Sequence, residues 1–139
     1  MSMAKDGLTM LGNNELTIPS SPQEAKLEKF ANVRPDRKYV IHLNCPEFSS
    51  LCPVTGQPDS AFIKIHYIPG ESCVETKSLK YYMASYRNTA MFNEEVVNTV
   101  LDDLVNLLDP VQMHITGEFG ARGGIQLTCE ACHPQVESL

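Results

Sequence analysis

The sequence predicts an α+β domain in which one antiparallel four-stranded sheet carries two helices on a single face. Three observations lead there. Two stretches in the middle of the chain and two near its end alternate apolar and polar residues. Two stretches between them repeat at helical spacing. Turn formers, not crossover segments, join the strands of each pair. The element order is therefore ββααββ, which places both helices on the same side of the sheet.

The first strand is read at Lys38 to Leu43, where Tyr39, Ile41 and Leu43 alternate with Val40 and His42. The second runs from Ala61 to Ile68, with Ala61, Ile63, Ile65 and Tyr67 on one face. After the turn at Pro69-Gly70, Leu79, Tyr82, Met83 and Tyr86 follow i, i+3, i+4, i+7 spacing and define a short amphipathic helix. The second helix carries the apolar stripe Val97, Val100, Leu101, Leu104 and Leu108. Asn93 is its expected N-cap, Glu94 and Glu95 suit its positive end, and Pro110 stops it. The third strand spans Val111 to Phe119, with Val111, Met113 and Ile115 inward, and Gly120 to Gly124 turns into a fourth at Ile125, Leu127 and Cys129. Residues 1–36 are polar, lack a sustained period and read as an extended arm; 37–130 form the single domain and 131–139 a tail.

At 139 residues and 42% hydrophobic, the chain suits one compact domain that buries roughly 65 to 70% of its unfolded surface. It contains no Trp, and its strands are short, so part of the apolar surface is expected to be covered by subunit contacts, which would also pair the two sheet edges. A net charge of −6 without a basic run argues against a protein that neutralises nucleic-acid phosphates. No apolar run approaches the roughly 20 residues that span a bilayer, and the first residues lack a secretory pattern, so a cytoplasmic protein is expected.

Five cysteines in a reducing compartment are read as thiols rather than a disulfide framework. Cys52 stands out because Ser50-Leu51-Cys52-Pro53-Val54-Thr55-Gly56-Gln57-Pro58-Asp59 surrounds it with turn formers and places an aspartate seven positions later. Cys129-Glu130-Ala131-Cys132-His133 matches the haem-attachment pattern, which export would ordinarily accompany; as a zinc site it would need Cys45 or Cys73 to complete it. It is read as an incidental thiol pair, with no metal expected. Cys45 and Cys73 are taken as structural, and His42, His66 and His114 as sheet-surface or interface residues.

Between Asn44 and Gly124, CPEFSSLCPVTGQPD, ETKSLKYY, SYRNTAMFNEEVVN and GARGG occur in order. These segments resemble the unimodular NADPH-dependent nitrile reductases that convert 7-cyano-7-deazaguanine to its 7-aminomethyl form in queuosine biosynthesis. The resemblance implies the tunnelling fold, with subunits joined into barrels, here a homodecamer of two facing pentamers with substrate held between neighbours. By position it makes Cys52 the nucleophile and Asp59 the proton donor. Val74, Glu75, Thr76, Asn93 and Glu94 would bind the deazaguanine, with Glu94 the foremost carboxylate. Thr76, Lys77, Arg122 and Gly123 would meet NADPH. Thr76 stands where Ser or Leu is usual, and Asn93 where many members have His.

The implied chemistry suits these residue types. Thiolate addition converts a nitrile, a poor hydride acceptor, into a thioimide, and a nearby carboxylic acid can protonate the nitrogen as charge grows there. No GxGxxG occurs, so the cofactor would bind outside any Rossmann unit. Three rivals differ in kind. An amidine-forming relative acting on the nitrile base within tRNA would keep Cys52 and Asp59 without the NADPH motif. A zinc-dependent pterin or GTP-cyclohydrolase-like enzyme of the same fold would need a Cys/His metal site. A non-catalytic binding module would tolerate loss of Cys52.

Overall fold

The computed structural model describes residues 7–12 and 16–135. The parts of the expected arm at 1–6 and 13–15, and of the tail at 136–139, lie outside them. The elements are β1 (Lys29–Ala31), β2 (Ile41–Leu51), β3 (Pro58–Ile68), β4 (Ser72–Val74), α1 (Thr76–Ala84), a 3₁₀ turn (Ser85–Asn88), α2 (Asn93–Leu108), β5 (Gln112–Phe119) and β6 (Thr128–His133). The main sheet has the order β2-β3-β5-β6 and is antiparallel throughout. It is the ββααββ arrangement of the tunnelling fold, with both helices on one face.

Alternation along the central strands decides that face. Ile63, Ile65 and Tyr67 of β3 and Met113, Ile115 and Phe119 of β5 are buried against Val96, Val97, Val100 and Leu104 of α2 and Leu79, Tyr82 and Met83 of α1. On the opposite face His42, His66 and His114 stand in register across β2, β3 and β5, with ring centroids 4.2 Å and 6.4 Å apart along the row. α2 ends where Asp109 takes a left-handed conformation immediately before Pro110, and the Asp109 amide donates to the Val105 carbonyl.

Several elements depart from the sequence reading. β2 begins three residues later and continues through Asn44–Leu51, a stretch that the simple alternation missed. A bulge between Cys45 and Phe48 is the reason, because it inserts residues around Pro46 and reverses which parity faces the core. Ile41, Leu43 and Cys45 pack against the core before it, and Phe48 and Ser50 are buried after it. Pro46 is tolerated because β2 is an edge strand. β3 starts at Pro58, so Asp59 lies on a strand. Val111 is outside β5 and exposed. Ile125 is 73% exposed, since it closes a tight turn before β6, which begins only at Thr128 and runs on to His133. Within the expected arm, β1 pairs with β4 in a separate two-stranded sheet. The buried Glu28 carboxylate accepts from the Thr9 amide (2.9 Å), the Thr9 hydroxyl and the Met10 amide (3.2 Å), tying residues 9 and 10 to that sheet.

Asn93 is not the cap of α2. Phe92 occupies that position with extended backbone (φ −64°, ψ 147°) and no side-chain hydrogen bond, and Asn93 is the first helical residue. A side chain caps only from a residue whose own backbone is still extended. At α1, Glu75 is the cap, accepting from the Ser78 amide (2.7 Å) and the Lys77 amide (2.8 Å).

Candidate active site

Cys52 closes the β2–β3 hairpin. Its amide donates to the Gln57 carbonyl (2.8 Å), and the Gly56 amide donates back to the Cys52 carbonyl (2.9 Å). Gly56 has φ +72°, a conformation glycine adopts without penalty, so the four residues between Cys52 and Gln57 reverse the chain tightly. The turn aims polar hydrogens at the sulfur. The Thr55 hydroxyl, followed by the Thr55 and Val54 amides, holds the Cys52 thiol below the ordinary thiol pKa, against slight desolvation and the charge of Asp59. Cys45 and Cys129 shift the other way, both pushed up by burial, Cys129 also by Glu94. A thiolate is the reactive form of a cysteine, and of these three thiols only that of Cys52 is shifted toward it. Thr55 was not singled out from the sequence; the visible signal was a hydroxyl inside the Pro-Val-Thr-Gly turn that follows the cysteine.

Asp59 faces Ser50 across the β2–β3 ladder and is buried. The guanidinium of Arg122 reaches it from the loop between β5 and β6, donating Nε to Asp59 Oδ1, Nη1 to Gln57 Oε1 and Nη2 to the Pro58 carbonyl. Gln57 is a second residue that sequence reasoning missed. Arg122 sits on a hairpin closed by reciprocal bonds with Ile125 (2.8 and 3.0 Å), whose two tip residues, Gly123 and Gly124, have φ of +58° and +81°. A Cβ at either glycine would meet nothing within 4 Å. A cationic, partly exposed side chain beside bare backbone suits a phosphate-bearing ligand.

α2 starts at this same end of the sheet. The Leu51 amide donates to the Thr89 carbonyl (2.9 Å) and the Met91 amide to the Leu51 carbonyl (3.1 Å), which sets Asn93 and Glu94 a few residues from the Cys52 turn. Glu94 is exposed in the single chain. Among the described residues the buried oxygens Ser50 Oγ and Asn93 Oδ1 have no hydrogen-bond partner. Buried polar atoms without partners are rare, and these two belong to residues at the same end of the sheet as the Cys52 turn.

Val74, Glu75, Thr76 and Lys77 lie elsewhere. Val74 hangs on Tyr67 through its amide (3.1 Å to the phenol oxygen), near the far end of β3 from Asp59. Nine residue steps separate Pro58 from Tyr67, about 30 Å at the usual strand rise. Val74, Glu75 and Thr76 line an apolar cavity of about 460 Å³ with Leu8, Tyr39, Ile41 and Leu43. The predicted site residues thus form two groups at opposite ends of the chain: Cys52, Asp59, Asn93, Glu94, Arg122 and Gly123 at one, Val74, Glu75, Thr76 and Lys77 at the other.

The CEACH segment lies in β6. In a strand, positions three apart point to opposite faces, and Cys129 packs toward the core while Cys132 stands in register with His114 on the other side. The two thiols do not converge. Among the described residues no three His, Cys, Asp or Glu side chains are gathered as metal ligands, and no helix is long and apolar enough to cross a membrane.

An antiparallel α+β chain with an activated thiol, an acid on the adjoining strand and a cationic glycine hairpin has the apparatus for covalent catalysis on a small electrophile. The family model described as QueF-like protein matches residues 58–138. An NADPH-dependent 7-cyano-7-deazaguanine reductase of Streptococcus thermophilus (strain ATCC BAA-491 / LMD-9) is 50% identical over 120 residues, covering 86% of this chain and 74% of its own. A protein of the same name from Neisseria meningitidis serogroup C is 47% identical over 128 residues, covering 92% and 78%. This chain belongs to the QueF-like protein family. Its fold is shared with the archaeosine synthase QueF-Like in the apo form, at a TM-score of 0.65 and 22% identity, over 70% of this chain and 95% of that one.

Proposed function

We propose that this chain is a cytoplasmic NADPH-dependent reductase that converts 7-cyano-7-deazaguanine to 7-aminomethyl-7-deazaguanine in queuosine biosynthesis. The observation that carries the reading is the Cys52 turn, whose hydroxyl and amides favour the thiolate while Asp59 stands on the next strand. Relatives about half identical to this chain bear the name of that reductase.

Cys52 sulfur adds to the nitrile carbon and the nitrogen takes a proton, giving a thioimide bound to the protein. Asp59 supplies that proton, and its burial keeps water from competing for the position. Glu94 accepts from the purine-like N–H groups, and the unpartnered Ser50 Oγ and Asn93 Oδ1 are further acceptors. Arg122, Gly123, Thr76 and Lys77 hold the cofactor, which when bound supplies a hydride; two equivalents carry nitrile to amine. Collapse of the reduced adduct returns Cys52 as thiol.

The division of these residues between two ends of the chain supports a site shared by neighbouring subunits of a homo-oligomer, a decamer of two pentamers whose sheets join into barrels. β2 and β6 are the sheet edges available for that pairing. Val54, Phe92 and Ile125, all more than half exposed, surround the Cys52 end and need a cover.

Two experiments test this reading. Protein mixed with the nitrile alone should gain its mass on the intact chain, Cys52→Ala should not, and addition of NADPH should consume two equivalents per nitrile. An adduct on Cys52→Ala, or no loss of nicotinamide absorbance with the wild type, refutes the reaction. For the shared site, inactive Cys52→Ala and inactive Lys77→Ala are dissociated, mixed and reassembled. Activity returns if each site draws Cys52 and Lys77 from different chains, and a mixture that stays inactive refutes sharing.

A further inference from the structure

We propose that Arg122 is contested between Asp59 and the cofactor, so that cofactor arrival takes the guanidinium from the acid and the two occupancies weaken one another. The inference rests on the reductase reading and adds to it a coupling between cofactor site and proton donor.

The Arg122 side chain is engaged within its own chain. Nε, Nη1 and Nη2 each donate, to Asp59, Gln57 and Pro58 in turn, three consecutive residues that begin β3 directly after the Cys52 turn. A guanidinium has five N–H bonds, and its bidentate forks are what grip a phosphate. Nε has a single hydrogen and gives it to Asp59, so the fork that pairs Nε with an Nη is not available. A phosphate can be gripped through that fork only after the bond to Asp59 is released.

The hairpin that carries Arg122 permits such movement. Its tip is Gly123-Gly124 with open space around both, and the Arg122 side chain is 39% exposed whereas that of Asp59 is 9% exposed. The arginine therefore moves and the acid stays. The guanidinium engages Asp59 Oδ1 only, so Oδ2 is left to turn an O–H toward the substrate while Arg122 is held, and adduct formation does not wait for the cofactor. Because linkage is reciprocal, whatever Asp59 contributes to holding Arg122 is subtracted from cofactor affinity.

The test uses NADP⁺, which binds without reacting, and calorimetry on the full chain. Asp59→Asn should bind NADP⁺ about three- to tenfold tighter than the wild type, a range kept modest because the arginine is part-exposed. Asp59→Ala, which removes the acceptor altogether, should reproduce the gain. Arg122→Met should bind more weakly, and adding Asp59→Asn to it should change nothing further. An unchanged affinity in both Asp59 variants overturns the proposal. So does a gain that persists undiminished with Arg122→Met, since that would be a simple charge effect of the carboxylate. Wild-type affinity in Arg122→Met would remove Arg122 from the cofactor site and overturn the proposal, while NADPH turnover by the wild type would leave the reductase reading standing.

Discussion

Gly117→Ala should destabilise the protein, and the reason is how closely α2 lies on the sheet. Gly117 is on β5 between Ile63 of β3 and Cys129 of β6, and it faces the core. A Cβ there would stand 2.6 Å from Val97 Cγ2, 2.7 Å from Phe119 Cε1 and 3.4 Å from Ile63 Cδ1. The first two are well inside ordinary contact, and neither neighbour has room to yield. Val97 is β-branched on a helix, where one χ1 rotamer dominates, and both Val97 and Phe119 are about 1% exposed. Overpacking of this kind costs about 1–3 kcal/mol. Gly117 is not among the glycines with positive φ, so alanine adopts its backbone without strain and recovers about 0.4–1 kcal/mol through the unfolded chain. The net loss is then centred at ~1.3 kcal/mol, with about 2.6 kcal/mol as its upper end. With an unfolding entropy of about 0.3 kcal/mol/K for 139 residues, Tm should fall by about 4 °C, and by about 9 °C at most, in a calorimetric or dichroism melt. A Tm at or above the wild-type value would refute the reasoning. Val97→Ala, which alone leaves a cavity, should become less harmful when combined with Gly117→Ala, because each opens space the other needs.

Two further substitutions address the site. Thr55→Val removes the largest influence holding the Cys52 thiol down, so its pKa should rise; adduct formation followed against pH should shift to higher pH, slower near neutrality and converging with the wild type where both thiols are ionised. An unshifted profile would mean that the hydroxyl does not touch the sulfur in solution. Glu94→Gln, made on Cys52→Ala to prevent covalent capture, should weaken nitrile binding about tenfold or more by calorimetry, because a donor replaces a charged acceptor facing substrate N–H groups; unchanged affinity would leave Glu94 as a helix-end charge.

Much of this arrangement is legible in the residues, and the parts that are not share a cause. α2 reads cleanly from Val97, Val100, Leu101, Leu104 and Leu108 because sixteen residues give the helical period room to repeat, and Pro110 ends it without ambiguity. β2 does not, since the bulge between Cys45 and Phe48 exchanges the inward parity partway along, and a period-2 pattern sees only its first half. β1 and β4 are three residues each, too short for any period. Asn93 has the composition of a cap and lies one residue too late to be one. Cys52 and Asp59 can be associated from the sequence because they lie seven residues apart in one turn-rich segment. The contact of Arg122 with Asp59 spans 63 residues and follows only from β5 pairing beside β3.

That same pairing sets the two groups of proposed site residues apart. The C-terminal end of β2, the N-terminal end of β3, the C-terminal end of β5 and the N-terminal ends of β6 and α2 all fall on one rim, as antiparallel order requires. The ETKSLKYY segment must then begin at the other rim, because β3 carries the chain away from Cys52 before Pro69-Gly70 turns it into β4 and α1. No adjustment of loops can close a gap set by the length of β3. The two motifs can serve one substrate only if the rim of one subunit meets the opposite rim of another. In that arrangement the exposed Val54, Phe92 and Ile125 would be covered by the neighbouring chain, and the exposed Glu94 would face a cleft instead of solvent. Assembly would then be a condition of catalysis, with specific activity falling on dilution at the concentration where the subunits separate.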